Sequence, residues 1–277
     1  MTVLWVAWQA AAFGIGASLG SFLGLAVVRL PADRSLVRPP SRCPVCHAPV
    51  RWHDNVPILG WLVLRGRCRD CHAPIAPLHP LLEAGFGGLA WLMFRRFVPG
   101  AAALDVAHLA AFAVFTAFAW LLLCAAYVDL RARLVPEVAS VYAVPVGVAG
   151  AALLGGLGYE GWLAIGWRSS VVGALAGGGG LGAVSWLWWR LAGSEGLAWG
   201  DVRLAAMIGA FVGALPGLLA VLVLASFGGA VVGLVAAVAL GRPGYLPFAP
   251  VLAAAGLAWV LYGDWIGRWL LPSLGGG

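Results

Sequence analysis

Charge is what this sequence has least of. Only 10% of its 277 residues are charged and 62% are hydrophobic, where an average globular domain carries about a quarter charged residues. A soluble α/β fold needs turns and charged faces that are missing here. Lysine is absent, so all 17 basic residues are arginine. No His-Glu-x-x-His sequence occurs, which argues against a zinc-dependent hydrolase. The stretch Met1 to Val28 has no basic region ahead of its apolar run and no small-x-small site leading into a soluble domain. It therefore reads as a retained first helix, not a signal peptide. Outside one polar segment there is no linker, no second polar domain and no visible repeat. The run Gly177 to Gly180 lacks the flanking strand of a nucleotide loop, and reads as close helix contact or local unwinding.

What is present is long apolar runs, 40 glycines and 15 tryptophans, with mean hydropathy +0.94. Glycine allows membrane helices to approach, and tryptophan sits at the lipid–water boundary. The expected fold is all-α: a polytopic membrane protein of about eight transmembrane helices, each near the length a bilayer requires. The candidate spans are 3–28, 80–98, 104–128, 137–157, 168–191, 203–215, 217–240 and 247–263. Gly213-Ala214-Leu215-Pro216-Gly217 splits the sixth from the seventh, because proline cannot continue the helical ladder. Residues 1–28 are then a first helix, 29–79 a small cytoplasmic metal-binding domain, and 80–277 a transmembrane catalytic domain.

A net charge of +6 can signal nucleic acid. Here the arginines fall mostly between apolar runs, so membrane topology is the simpler cause and no nucleic acid partner is expected. With 29–79 cytoplasmic, the inner connections hold Arg29, Arg34, Arg38, Arg42, Arg51, Arg65, Arg67, Arg69, Arg131, Arg133, Arg190, Arg203 and Arg242. The outer ones hold only Arg95, Arg96, Arg168 and Arg268. Positive charge on the inside fixes this orientation.

Four of the five cysteines are spaced as Cys43-Pro44-Val45-Cys46 and Cys68-Arg69-Asp70-Cys71. Each pair makes a knuckle offering two thiolates, and two knuckles complete a tetrahedral zinc site. A polar segment of about fifty residues has too little core to fold unaided, so a metal staple has a physical use. Two disulfides are the alternative, disfavoured in a reducing cytosol. His47 and His72 follow the knuckles and read as solvated. Cys124 reads as an ordinary buried residue. A closed four-thiolate shell leaves no position for a reacting water, so the metal is structural.

Chemistry is expected instead at two carboxylates. Asp201 lies in Gly196-Leu197-Ala198-Trp199-Gly200-Asp201-Val202-Arg203-Leu204, between apolar runs, and Asp129 lies where another run ends, in Tyr127-Val128-Asp129-Leu130-Arg131. A carboxylate at such a boundary loses hydration, which marks a candidate site; the plain alternative is a solvated interfacial residue with no role. Two close carboxylates share a proton. The charged one activates water against an amide carbonyl, while the protonated one bonds the carbonyl oxygen and then helps protonate the leaving amine. Glu137 and Glu195 read as exposed loop or cap residues, and Glu83 as a hydrogen-bonding group inside the second span. Ser169, Ser170 and Ser185 have no histidine nearby in sequence, and His108 falls in the opposite half of the bilayer.

Read together, these motifs resemble the bacterial type IV prepilin peptidases, aspartic membrane proteases of the GxGD type. The resemblance runs through Gly20-Ser21-Phe22-Leu23, Cys43-Pro44-Val45-Cys46, Asp54-Asn55-Val56-Pro57-Ile58-Leu59-Gly60-Trp61, Arg65-Gly66-Arg67-Cys68, Pro80-Leu81-Leu82-Glu83 and Val128-Asp129-Leu130 with Leu134-Val135-Pro136. It continues through Gly200-Asp201-Val202-Arg203-Leu204 and Pro247-Phe248-Ala249-Pro250. Three positions depart from the pattern: Ala198 stands for the first glycine of GxGD, Arg203 for lysine, and Glu137 for the aspartate that commonly follows the proline. The resemblance implies Asp129 and Asp201 as catalytic residues. It implies a prepilin or type II secretion pseudopilin substrate, cut after the glycine that ends a basic leader on the cytoplasmic side of the inner membrane. It further implies N-methylation of the new terminus with S-adenosylmethionine, at a site the residues do not mark. A non-catalytic zinc-domain scaffold for pilus or secretion assembly is the alternative. A proton-coupled transporter would place its carboxylates nearer the midplane.

Overall fold

A computed structural model of the chain describes residues 2–194, 197–240 and 247–270, and every regular element among them is helical. In order these are α1 (Thr2–Arg29), α2 (Leu59–Val63), α3 (Leu78–Phe97), α4 (Val106–Ala132), α5 (Val144–Gly156), α6 (Trp167–Leu175), α7 (Leu181–Ala192), α8 (Trp199–Val212), α9 (Leu219–Leu240) and α10 (Ala249–Leu270). Six helical stretches among the described residues are long and apolar enough to cross a membrane: Val3–Ala32, Val106–Ala132, Glu137–Gly156, Trp167–Ala192, Trp199–Val238 and Ala249–Trp269. The sequence expectation of about eight differs in two places. In α3, His79, Glu83, Arg95 and Arg96 interrupt the apolar character. The stretch Trp199–Val238 counts as one by length, yet it bends where expected: Leu215 leaves the helical region (φ −126°, ψ 136°) beside Pro216. Glu195, Gly196 and Arg242 lie outside the described residues.

The chain divides into two compact units, Met1–Leu104 and Asp105–Gly277. In the first, α1 runs along α3. Gly16 and Gly20 are four apart on one face of α1, and a Cβ at Gly20 would come within 2.6 Å of the Leu82 carbonyl. This small-xxx-small pair brings two backbones together as membrane helices do. Trp91 Nε1 adds a hydrogen bond to Gln9 Oε1 (3.0 Å). Between α1 and α3 lies the polar segment that carries the four cysteines.

In the second unit α8 is the central element, touching α4, α5, α6, α7 and α10. Its residues Leu204, Ala205, Met207, Ile208 and Ala210 are fully buried. The glycine run reads correctly on both counts: Ala176–Gly180 is a single π-helical turn joining α6 to α7, and Gly177 lies against the backbone of Ala205 on α8. Gly173 and Gly209 make the same backbone-to-backbone approach between α6 and α8.

Candidate active site

At about 1.5 Å per residue, the 27 residues of α4 exceed the ~30 Å hydrocarbon thickness. Asp129 sits in the last turn, so a membrane-spanning α4 would put it near the boundary of lipid and water. The helix stops at Arg133, which adopts the left-handed conformation (φ 54°) and returns its N–H to the Asp129 carbonyl. Asp201 is in the first turn of α8, with Ala198 as the N-cap. The helix starts at Trp199, four residues before the span read from sequence, so the aspartate belongs to the helix and not to a loop.

Both aspartates are 6% exposed. The structure carries both in one unit, on two helices that touch each other and α10: Asp129 in the last turn of α4 and Asp201 in the first turn of α8. A third group completes the site: the backbone N–H of Ala249 donates to Asp129 Oδ2 at 3.3 Å, 120 residues away in sequence. Ala249 opens α10, so its N–H at that helix end faces the carboxylate, as a helix N-terminus does with an anion. The Pro247-Phe248-Ala249-Pro250 motif marked this position, but a backbone donor leaves no side-chain signature.

The loop leaving α4 lies against the start of α8 at two points. Gly200 meets Val135 so closely that a Cβ there would be 3.0 Å from Val135 Cγ2. Beyond it, Arg203 Nη1 donates to Glu137 Oε1 at 3.2 Å, and Arg203 Nε to the Trp199 carbonyl at 3.3 Å. Ser140, fully buried, braces the loop by donating to the Pro136 carbonyl. Ala198 has φ −64° and ψ 138°, extended backbone open to any residue. Alanine in place of the usual glycine therefore costs no backbone strain.

The serines play no part in this cluster. Ser170 Oγ donates to the Ala210 carbonyl and Ser185 Oγ to that of Leu197. His108 bonds Asp105, the N-cap of α4, at the other end of that helix.

In the first unit, the sulfurs of Cys43, Cys46, Cys68 and Cys71 all lie within 4.8 Å of one another, an arrangement that could hold a metal ion. The two halves are built alike, and here the sequence reading missed a repeat. Cys-x-x-Cys-His-Ala-Pro occurs at 43–49 and again at 68–74. In each, the first cysteine's N–H bonds the alanine carbonyl (Ala48 at 2.9 Å, Ala73 at 2.8 Å) and the histidine N–H bonds that cysteine's carbonyl at 3.0 Å. His47 and His72 close the turns with φ 59° and 58° and are exposed; neither joins the sulfur cluster. Backbone N–H groups of Cys46 and Val45 hold the Cys43 thiol below its usual range, while desolvation and the neighbouring sulfurs push Cys46 up; sulfurs this close cannot all ionise without a cation between them. Arg69 holds Asp54 below the usual carboxylate range through a bond of 2.8 Å from its Nε, tying the second knuckle to the chain after the first. Glu83, buried on α3, accepts the Ile58 N–H at 2.6 Å. This is the hydrogen-bonding role expected of it, here to the polar segment of its own unit. Cys124 is buried, as expected.

The same unit contains a hollow of about 350 Å³ between the end of α1 and the first knuckle, lined among others by Arg29, Pro39, Ser41, Trp52 and Asn55. Trp52 is 84% exposed, an unusual position for an indole. Arg29 is fixed there by bonds from Nη1 to the Ser35 carbonyl (2.9 Å) and Nη2 to the Pro39 carbonyl (2.6 Å).

Two family models match the chain: the bacterial peptidase A24 N-terminal domain over residues 15–97 and the type IV leader peptidase family over residues 116–234. Among curated proteins, three similar ones bear the name prepilin leader peptidase/N-methyltransferase. The Myxococcus xanthus protein is 37% identical over 84% of this chain and 64% of its own length. The Burkholderia pseudomallei protein is 38% identical over 84% of this chain and 71% of its own length. The Aeromonas hydrophila protein is 34% identical over 92% and 91%. No solved structure matches.

Proposed function

The chain belongs to the type IV leader peptidase family, and from that premise we propose that it is a membrane-embedded aspartic endopeptidase. It removes the leader from type IV prepilins or type II secretion pseudopilins, and then methylates the new N-terminus. One observation carries the reading: Asp129 and Asp201, remote in sequence, are both buried at the ends of α4 and α8, two helices that touch each other and α10. A scaffold has no reason to bury two carboxylates in one cluster of helix ends, since the desolvation is costly. In the reaction, one aspartate takes a proton from a water that attacks the scissile carbonyl. The other, protonated, hydrogen-bonds the carbonyl oxygen and passes its proton to the departing amine. The Ala249 N–H orients Asp129.

The depth of the site suits the substrate. A prepilin is itself a membrane helix with a basic leader, so its scissile bond would reach the level of these helix ends. The helix must unwind there, and glycine lowers that cost by about 1 kcal/mol relative to alanine. The arginine distribution supports a cytoplasmic active site and a cytoplasmic cysteine domain in a multi-pass inner-membrane protein.

For the metal, zinc fits. Four thiolates about 2.3 Å from a tetrahedral ion stand about 3.8 Å apart; Cys43 and Cys71 are at 3.7 Å, Cys46 and Cys68 at 3.9 Å. Zinc there would be structural. For S-adenosylmethionine, the open hollow beside Trp52 is the candidate: its volume of about 350 Å³ lies near the lower end of small-molecule sites, roughly 300–1,000 Å³, and the exposed indole face suits a sulfonium cation. When bound, the group would supply the methyl; the residues around it hold and orient.

Purified protein incubated with a prepilin, with and without S-adenosylmethionine, tests the whole reading by leader release and by mass spectrometry of the mature terminus. The two activities should separate. Asp201→Asn given a pre-cleaved pilin should still add one methyl, because methyl transfer needs a free amine and not a carboxylate pair. Trp52→Ala should weaken S-adenosylmethionine binding about tenfold by calorimetry, the scale of a lost cation–π contact, with cleavage unchanged. Failure of Asp201→Asn to methylate would merge the two sites, and unchanged binding by Trp52→Ala would move the cofactor elsewhere.

A further inference from the structure

Glu137 and Arg203 are the two ends of one ion pair, at 3.2 Å, with side chains 58% and 38% exposed. An exposed pair adds little stability, so its interest lies in what it joins. Arg203 is two residues past Asp201 on α8. Glu137 is in the loop that leaves the last turn of α4, eight residues past Asp129. Inside the pair, Gly200 already touches Val135, and Ser140 braces the loop from behind. The guanidinium is further fixed by its bond to the Trp199 carbonyl, so it is held at both of its ends.

We propose that Glu137 and Arg203 form a positioning latch that holds the two aspartate-bearing helix ends at the spacing cleavage requires. The proposal rests on the aspartic peptidase reading. The latch touches neither water nor scissile bond. It acts on Asp201 through α8 itself and on Asp129 through the short connection from the end of α4 to Glu137, where a small misplacement lowers the rate steeply while substrate binding persists.

The experiment is a charge-reversal cycle with prepilin cleavage as readout, kcat and KM measured separately for native protein, Glu137→Arg, Arg203→Glu and the double swap. Each single reversal should lower kcat about tenfold with KM within about twofold, and the swap should recover kcat to within about threefold. Arg203→Lys, which keeps the charge, should stay within about threefold of native. If a reversed variant fails to insert, Glu137→Gln and Arg203→Gln carry the same test, with equal losses in kcat that do not add. The latch is overturned if the swap is as slow as the product of the singles. It is equally overturned if kcat holds and KM rises, which would make Glu137 a group that binds the basic leader. Native protein that does not cleave at all would instead overturn the peptidase reading.

Discussion

Asp129→Asn and Asp201→Asn should each abolish leader cleavage, lowering kcat by about a thousandfold or more, while the protein still inserts in the membrane. The size follows from the division of labour. General acid and base contributions are each about 10²–10⁴ in rate, and asparagine can neither take a proton from water nor give one to a leaving amine. The substitution keeps size and shape in a site where both side chains are buried, so the loss is chemical and not a failure to fold. The two losses should not multiply in the double variant, because one carboxylate without the other has no complete proton path. The measurement is leader release from a purified prepilin, with thermal unfolding in detergent as the control. Processing by either variant within tenfold of native would remove the dyad.

The second large effect concerns the cysteines. One zinc per chain is expected, and Cys43→Ser or a strong chelator should unfold the polar segment. Structural zinc supplies about 10–16 kcal/mol of apparent binding free energy in small zinc-finger peptides. Regular helix between α1 and α3 amounts to the five residues of α2 and two 3₁₀ turns, Leu30–Ala32 and Trp52–Asn55. Little else offsets that loss: the Arg69–Asp54 and Arg51–Asp70 pairs at its surface and the Glu83–Ile58 bond. Limited proteolysis should therefore cut chelated protein near the knuckles and leave α4 to α10 intact. Metal analysis of protein purified without chelator checks the stoichiometry. Disulfides at these cysteines with no zinc would refute both the metal and the assigned side of the membrane.

Much of this was legible in the sequence, for a physical reason. Lipid leaves a long apolar run few alternatives to a helix, so spans could be read from composition, and the break at Pro216 from its missing N–H. Asp129, Asp201 and the cysteine knuckles stood out because each is expensive or idle without a partner. What did not show were contacts with no periodic trace: Arg203 with Glu137, Glu83 with Ile58, and the start of α8 at Trp199. Such pairings depend on which helices become neighbours, and a single chain written in order does not record that. The repeated Cys-x-x-Cys-His-Ala-Pro was visible as letters. It gained meaning only when His47 and His72 proved to share a left-handed backbone and the same two turn bonds.

The donor that Ala249 offers to Asp129 belongs to the peptide backbone. A residue-by-residue substitution map is blind to it. Alanine scanning passes over position 249, because alanine is already there. A larger residue would fail for want of room, since Ala249 is wholly enclosed, and that failure would be misread as chemistry. One member of this proposed centre thus has no side chain of its own, and among the coded residues only proline, which lacks the N–H, would remove it.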